Sequence, residues 1–257
     1  MELFQYRDLV GALVARDLKV RYRRSAIGFV WTMLQPLLMM LVLRTVFSTL
    51  FQAKSAEVPQ NYAIFVLAGI LFWNFFSQSI VASMNSLRGN ALLLQKLPVP
   101  KAVFPLSTVL SGLVNLVFAL LPLFGLLIVT HHPLHLSLLF LPVAIFIAAL
   151  FTLGAGLLLS PLAVFFSDVV ELIGVLLTLL FYLTPVIYPK DIVPENLRWI
   201  VRFNPIRSIL EVFRDPIYQG EIPPLSHLTV SIVIALLALA VGSWVFHKSS
   251  DRIPFYI

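Results

Sequence analysis

The chain has no cysteine, which removes disulfides, thiolate nucleophiles and cysteine-based metal sites together. Charge is also scarce: 12% of residues are Asp, Glu, Lys or Arg, against ~25% in a typical soluble domain. A chain so poor in charge cannot coat a water-facing surface, so an ordinary soluble enzyme is excluded. Glycine, at 11 of 257 residues, is too sparse for a collagen-like chain, and no internal repeat or Gly/Ser-rich linker occurs. Missing too are G-x-x-x-x-G-K-[ST], H-E-x-x-H and G-x-S-x-G. The chain therefore has no P-loop for nucleotide phosphates, and any ATP it depends on must be bound by another subunit.

What the sequence has in abundance is apolar surface, 60% of residues with a mean hydropathy of +0.96. A bilayer core requires ~20 residues of helix. Six runs meet that need: Ile27 to Phe51, Tyr62 to Asn85, Val103 to Val129, Leu138 to Val164, Leu172 to Tyr188 and Leu225 to Phe246. The expected fold is an all-α integral membrane protein forming one domain over residues 1–257. Within it, 1–26 is an interface segment, 27–246 the six-helix region and 247–257 a tail. Prolines 36, 105, 122, 142 and 161 fall in or at the ends of these runs, where neighbouring helices can satisfy the backbone groups they free.

The formal net charge is +6. Eleven Lys/Arg residues fall on the N-terminal side of the spans and six on the other, with Arg44 inside the first span. The positive-inside rule then places both termini in the cytoplasm, mainly through the six cations of residues 1–26. In so apolar a chain this excess sets orientation, and no nucleic-acid partner is expected. In the N-terminal segment Tyr6, Leu9, Val10, Leu13 and Val20 share one helical arc, as in an interfacial helix, with Arg16 and Asp17 at its edges.

Residues 189–224 form the least regular loop. Asn204-Pro205 reads as an N-cap with proline at the first helical position, followed by Ile206, Ile209, Leu210 and Phe213 at helical spacing, opposite Arg207, Glu211 and Arg214. Pro194-Glu195 opens a second short segment bearing Trp199. Both are too short to cross a bilayer, and they either lie at the outer interface or dip back into it.

Few residues point to chemistry. His131, His132 and His135 share a short turn without a nearby carboxylate, so a solvated loop is preferred to a metal site, and no metal is expected. Phe72, Trp73 and Phe76 lie mid-span, where they either line a path for apolar sugar faces or pack in the core. Ala148, Thr152, Gly156 and Ser160 recur every four residues, a ridge that lets another helix approach. Ser86 to Pro100 is either a knob for a soluble partner or an interfacial linker helix.

The stretch Arg16-Asp17-Leu18-Lys19-Val20-Arg21-Tyr22-Arg23-Arg24-Ser25-Ala26-Ile27-Gly28-Phe29-Val30-Trp31, with Gln35-Pro36, resembles the N-terminal signature of ABC-2 type permeases that export polysaccharides. Three further segments are similar to that family in the same order: Asn90 to Pro105, Tyr182 to Tyr188, and Phe203 to Arg214. The family comprises membrane subunits for lipid-linked O-antigen, teichoic acid and capsule.

The resemblance implies a homodimeric permease of the bacterial inner membrane, joined to two copies of an ATP-binding subunit that holds ATP and Mg. It implies a coupling helix contributing Arg88, Asn90, Leu93, Gln95 and Lys96, and an outer gate containing Trp199, Asn204, Pro205, Phe213 and Arg214. Phe72, Trp73 and Phe76 become lining candidates by their position in the span. Lys19, Arg21, Arg23 and Arg24 are placed to meet the diphosphate head of a lipid-linked glycan at the cytoplasmic mouth, or else serve orientation alone. Two other functions stay open: an exporter of a drug or lipid on the same fold, and a membrane glycosyl- or phosphotransferase built on the Asp168/Glu171 pair.

Overall fold

The computed structural model describes residues 5–22, 28–53, 61–96 and 98–256. Its helices are α1 (Arg7–Tyr22), α2 (Trp31–Ala53), α3 (Tyr62–Gly89), α4 (Ala91–Lys96), α5 (Val103–Val129), α6 (Leu141–Phe165), α7 (Val169–Leu183), α8 (Arg198–Phe203), α9 (Pro205–Tyr218) and α10 (Leu225–Ser250). Among the described residues there is no strand, as the runs of apolar sequence predict.

Helices α2, α3, α5, α6 and α10 are long and apolar enough to cross a membrane, and their bounds follow the predicted spans closely. The predicted fifth span is different. Helix α7 has 15 residues, about 22 Å at ~1.5 Å per residue, which is short of the ~30 Å hydrocarbon core. The chain leaves the helix at Thr184, and Thr184–Ile187 continue as buried, non-helical backbone. Prolines 105 and 142 sit in the first turns of α5 and α6, where a missing N–H leaves no bond unmade, whereas Pro36, Pro122 and Pro161 lie inside helices.

Helix α3 is the axis of the bundle and the most buried of the spans. The small-residue ridge of α6 is buried as expected: Gly156 meets Ser83 of α3, and Ala148, Thr152 and Ser160 are enclosed. A second close approach, not read from the sequence, lies on the opposite face of α6. There Gly154 touches the backbone of Ala238 and Leu239 on α10, and Gly242 of α10 meets the Gly154 carbonyl. Two glycines allow backbone-to-backbone contact where any side chain would push the helices apart.

A second apolar cluster gathers the chain ends at one end of the bundle. Val10 and Leu13 of α1 pack with Leu87, Val103, Phe104, Val164, Phe246 and Ile253. Lys101 Nζ donates to the Ser250 carbonyl at 2.6 Å, tying the connection before α5 to the last helix. The expected arc of α1 is therefore correct for Tyr6, Leu9, Val10 and Leu13, but Val20 is 69% exposed. The last turns of α1 border a cavity instead of resting on α5.

Gly242→Val is expected to destabilise the bundle by about 1–3 kcal/mol, the usual cost of overpacking a close contact. Gly174→Ala, at a glycine with nothing within 4 Å, should be neutral or slightly stabilising. Thermal unfolding of both variants in detergent checks the difference.

Candidate functional site

A cavity of about 930 Å³ lies between α1, α2, α3 and α5. Helical spacing builds its walls. On α3, Asn74, Gln78 and Ala82 follow one another at four-residue steps, with Phe75 and Ser79 beside them; on α5, Thr108, Ser111 and Asn115 follow at steps of three and four. Trp31, Thr32 and Gln35 come from the first turns of α2. That helix begins just after Gly28, whose φ of 52° suits glycine and strains any other residue.

Among the described residues, charge is confined to the end formed by α1, where Arg16, Asp17 and Arg21 line the opening. The remaining lining is uncharged, and much of it can donate or accept hydrogen bonds. Ser79 is 2% exposed, and its Oγ has no hydrogen-bond partner, unusual for a buried helical serine. It presses on Gly112 of α5 at the cavity wall. Of the cations expected to meet a head group, Arg21 reaches this opening and Lys19 is exposed on α1 without lining it. Arg23 and Arg24 lie outside the described residues. Arg16, which sequence reading placed only at the edge of an amphipathic arc, is the cation that joins the cavity to the rest of the structure.

The aromatic residues expected as a lining are core residues in this chain. Phe72, Trp73 and Phe76 are 1%, 7% and 4% exposed. Their rings lie 5.5–5.8 Å from those of Phe213, Phe181 and Phe151, which fastens α3 to α9, α7 and α6. The polar face of the same helix, carrying Asn74 and Gln78, supplies the cavity wall. An i, i+4 pair of amides inside an apolar span was the available signal for that face.

The segment expected to couple to a partner divides in two. Arg88 belongs to the last turn of α3 and donates to the Val164 carbonyl at 3.2 Å. Asn90 is buried, donates to the Ser86 carbonyl at 2.7 Å and accepts from Arg16 Nη1 at 2.7 Å. Leu93 is partly buried against the apolar cluster. Leu92, Gln95 and Lys96 form the exposed face of α4. Only that face of α4 is left uncovered, while Arg88, Asn90 and Leu93 turn inward and hold the segment in place.

The residues expected at the outer gate are also separated. Trp199 is 61% exposed on α8, and Pro205 is exposed at the first position of α9. Asn204 caps α9 as its sequence predicts, its Oδ1 accepting from Ile206 N at 3.0 Å. Its Nδ2 donates to Thr184 Oγ1 at 2.8 Å. Phe213 is fully buried, and Arg214, expected on a polar outer face, is buried as well. Arg214 donates to the Pro185 carbonyl at 2.8 Å, and its guanidinium lies 3.9 Å over the Phe65 ring. Glu211 is buried beside it and pairs with Arg207 at 2.8 Å. Helix α9 is thus enclosed on nearly all sides because its charged groups have partners inside.

Burial lowers Arg214 to about 10, with Asp215 and Glu211 opposing, so it stays protonated at neutral pH. The same dry surroundings raise Asp215 to about 6, with Arg214 opposing. Arg214→Met, which leaves the Pro185 carbonyl unpaired, is expected to cost roughly 1–3 kcal/mol. Asn204→Ala should cost about 1 kcal/mol through the lost cap. Detergent unfolding midpoints for the two variants test both figures.

A family profile described as ABC-2 type transporter matches residues 8–218. The chain is 34% identical to the O-antigen export system permease protein RfbA of Myxococcus xanthus over 98% of its own length and 96% of that protein's. It is 28% identical to the O-antigen export system permease protein RfbA of Klebsiella pneumoniae, covering 95% and 93% of the two chains. It is also 22% identical to the polysialic acid transport protein KpsM of Escherichia coli, covering 91% and 90%.

Proposed function

From its membership of the ABC-2 type transporter family, we propose that this chain is the membrane permease of an ATP-driven exporter of lipid-linked polysaccharide. The observation that carries the cargo class is the cavity, a roughly 930 Å³ space within an apolar bundle whose lining sets neutral amides and hydroxyls, Asn74 and Gln78 among them, beside apolar residues. Amides and hydroxyls facing into a membrane domain are costly unless they meet polar partners, and the hydroxyls of a glycan supply them. A drug or lipid cargo would leave the Asn74 and Gln78 amides of that wall unmatched. The names of the O-antigen and polysialic acid relatives agree with this reading.

The chain acts as a transport subunit. Two copies form the permease, and two copies of a separate subunit bind ATP and Mg and hydrolyse the nucleotide. The ends of the chain, with α1 and α4, face the cytoplasm, consistent with the excess of Lys and Arg there. The fifth of six passes is made by α7 together with the buried residues Thr184–Ile187. When ATP draws the partner subunits together, the exposed face of α4 receives the motion. Because α4 follows α3 after one residue, Asn90, that motion reaches the helix that carries the cavity wall. The glycan then passes outward along a path between the two copies.

Leu92→Asp tests the partner interaction, since Leu92 is 71% exposed and a charge there leaves the core intact. Co-expressed with the ATPase encoded beside it, the variant is expected to lose stable 2:2 assembly and ATP-driven transport into proteoliposomes, while folding as the parent does. A parent chain that modified a lipid-linked sugar without ATP or a partner would overturn the transporter reading.

A further inference from the structure

Arg16 stands at two places at once. It lines the opening of the cavity, and its Nη1 donates to Asn90 Oδ1 at 2.7 Å. Asn90 is the single residue between α3 and α4, and its carbonyl accepts from Leu93 N at 3.0 Å and Leu94 N at 3.1 Å to start α4. A cavity residue is therefore bonded to the hinge of the proposed coupling helix. Resting on the polysaccharide-exporter reading above, we propose that Arg16 reads the phosphate end of the cargo in this cavity, and that taking the phosphate exchanges its bond to Asn90 for one to the ligand.

The charge distribution specifies a glycosyl phosphate. Among the described residues, Arg16 and Arg21 outnumber the single lining carboxylate, Asp17, and no other charged group lines the cavity. A free anion would gain nothing from the neutral wall, and a hydrocarbon chain would leave the Gln78 and Asn74 amides without partners. A sugar esterified to phosphate satisfies both ends. Arg16 already spends Nε and Nη2 on Asp17 Oδ1, at 3.2 and 2.9 Å. The bond to Asn90 is to a neutral amide, whereas a phosphate oxygen brings a full opposite charge to the same N–H group and suits the guanidinium fork. Asp17 opposes the incoming anion but stays paired with the guanidinium, which keeps Arg16 aimed at the opening.

The exchange makes α4 responsive to cargo. With Asn90 held by Arg16, the corner between α3 and α4 is tied to α1; with Arg16 on phosphate, the corner is free to follow the ATPase. Asn90→Ala removes the acceptor that Arg16 gives up and leaves Arg16 in place, so it tests the exchange directly. The permease–ATPase complex carrying this change is reconstituted in phosphatidylcholine vesicles, and ATP hydrolysis is followed with and without a prenyl diphosphate-linked oligosaccharide. With the tie already removed, the Asn90→Ala complex should hydrolyse ATP without cargo at close to the rate that cargo elicits from the parent, and cargo should add little. Arg16→Gln should raise the half-saturating cargo concentration about tenfold or more, read from the fluorescence of Trp31 at the opening. Cargo stimulation in Asn90→Ala equal to that of the parent, or unchanged binding in Arg16→Gln, overturns the inference. So does equal stimulation by phosphatidylglycerol alone, which would assign the phosphate to the bilayer. Failure of the unsubstituted complex to move the glycan at all would instead overturn the transport reading itself.

Discussion

Inside an apolar bundle no water is at hand to pair with a free peptide group, so every interruption of a helix has to be met by a donor from elsewhere in the chain. The interruption after Leu183 is where this protein meets that constraint. Thr184 is held by Asn204, the Pro185 carbonyl by Arg214, and the Ile187 carbonyl by the Tyr62 hydroxyl at 2.5 Å, while Val186 lies against Gly69. The donors come from α9 and from the start of α3. The burial of α9, its inward charges and the seat of α7 all follow from the need to satisfy this stretch of backbone.

Helix α3 joins that clasp to the cavity. One face carries Phe72, Trp73 and Phe76 into the aromatic core against α6, α7 and α9, and the other carries Asn74, Gln78 and Ser79 to the cavity wall. Its last turn bonds to α6 through Arg88 and leads through Asn90 to α4. A stiff helix with these four attachments transmits a displacement at one end to the wall and the clasp, since packed cores shift between discrete arrangements rather than deforming smoothly. The proposed transport cycle uses that stiffness: the ATPase moves the exposed face of α4, and α3 carries the motion along the path of the glycan.

The spans were legible because twenty-odd apolar residues have few other uses, and the cap at Asn204-Pro205 because the two residues specify a helix start by local chemistry alone. The small-residue ridge of α6 was legible for the same reason, as a four-residue repeat. The Gly154–Gly242 contact was not, because it pairs residues 88 positions apart and Gly154 lies off the four-residue repeat of its own helix. The site was harder to read. Aromatic residues in mid-span suit a sugar path and a core equally well, and only their neighbours decide between them. The charges of α9 look like a solvated face until the carbonyl that Arg214 serves is known to lie beside it.

By itself, the sequence determined that this is a helical membrane protein, that it binds no nucleotide through a P-loop, which of its ends bears the positive charge, and where its long helices begin and stop. These depend on composition, period and local caps, which are properties of neighbouring residues. The tertiary structure alone decided which face of α3 meets the cavity, that α7 ends short and is completed by clasped backbone, and that Arg16 is bonded to Asn90. Each of those rests on contacts between residues distant in the chain. The physical reason is that a polar group in an apolar surrounding takes its role from the partner it finds, and that partner is set by how the helices assemble.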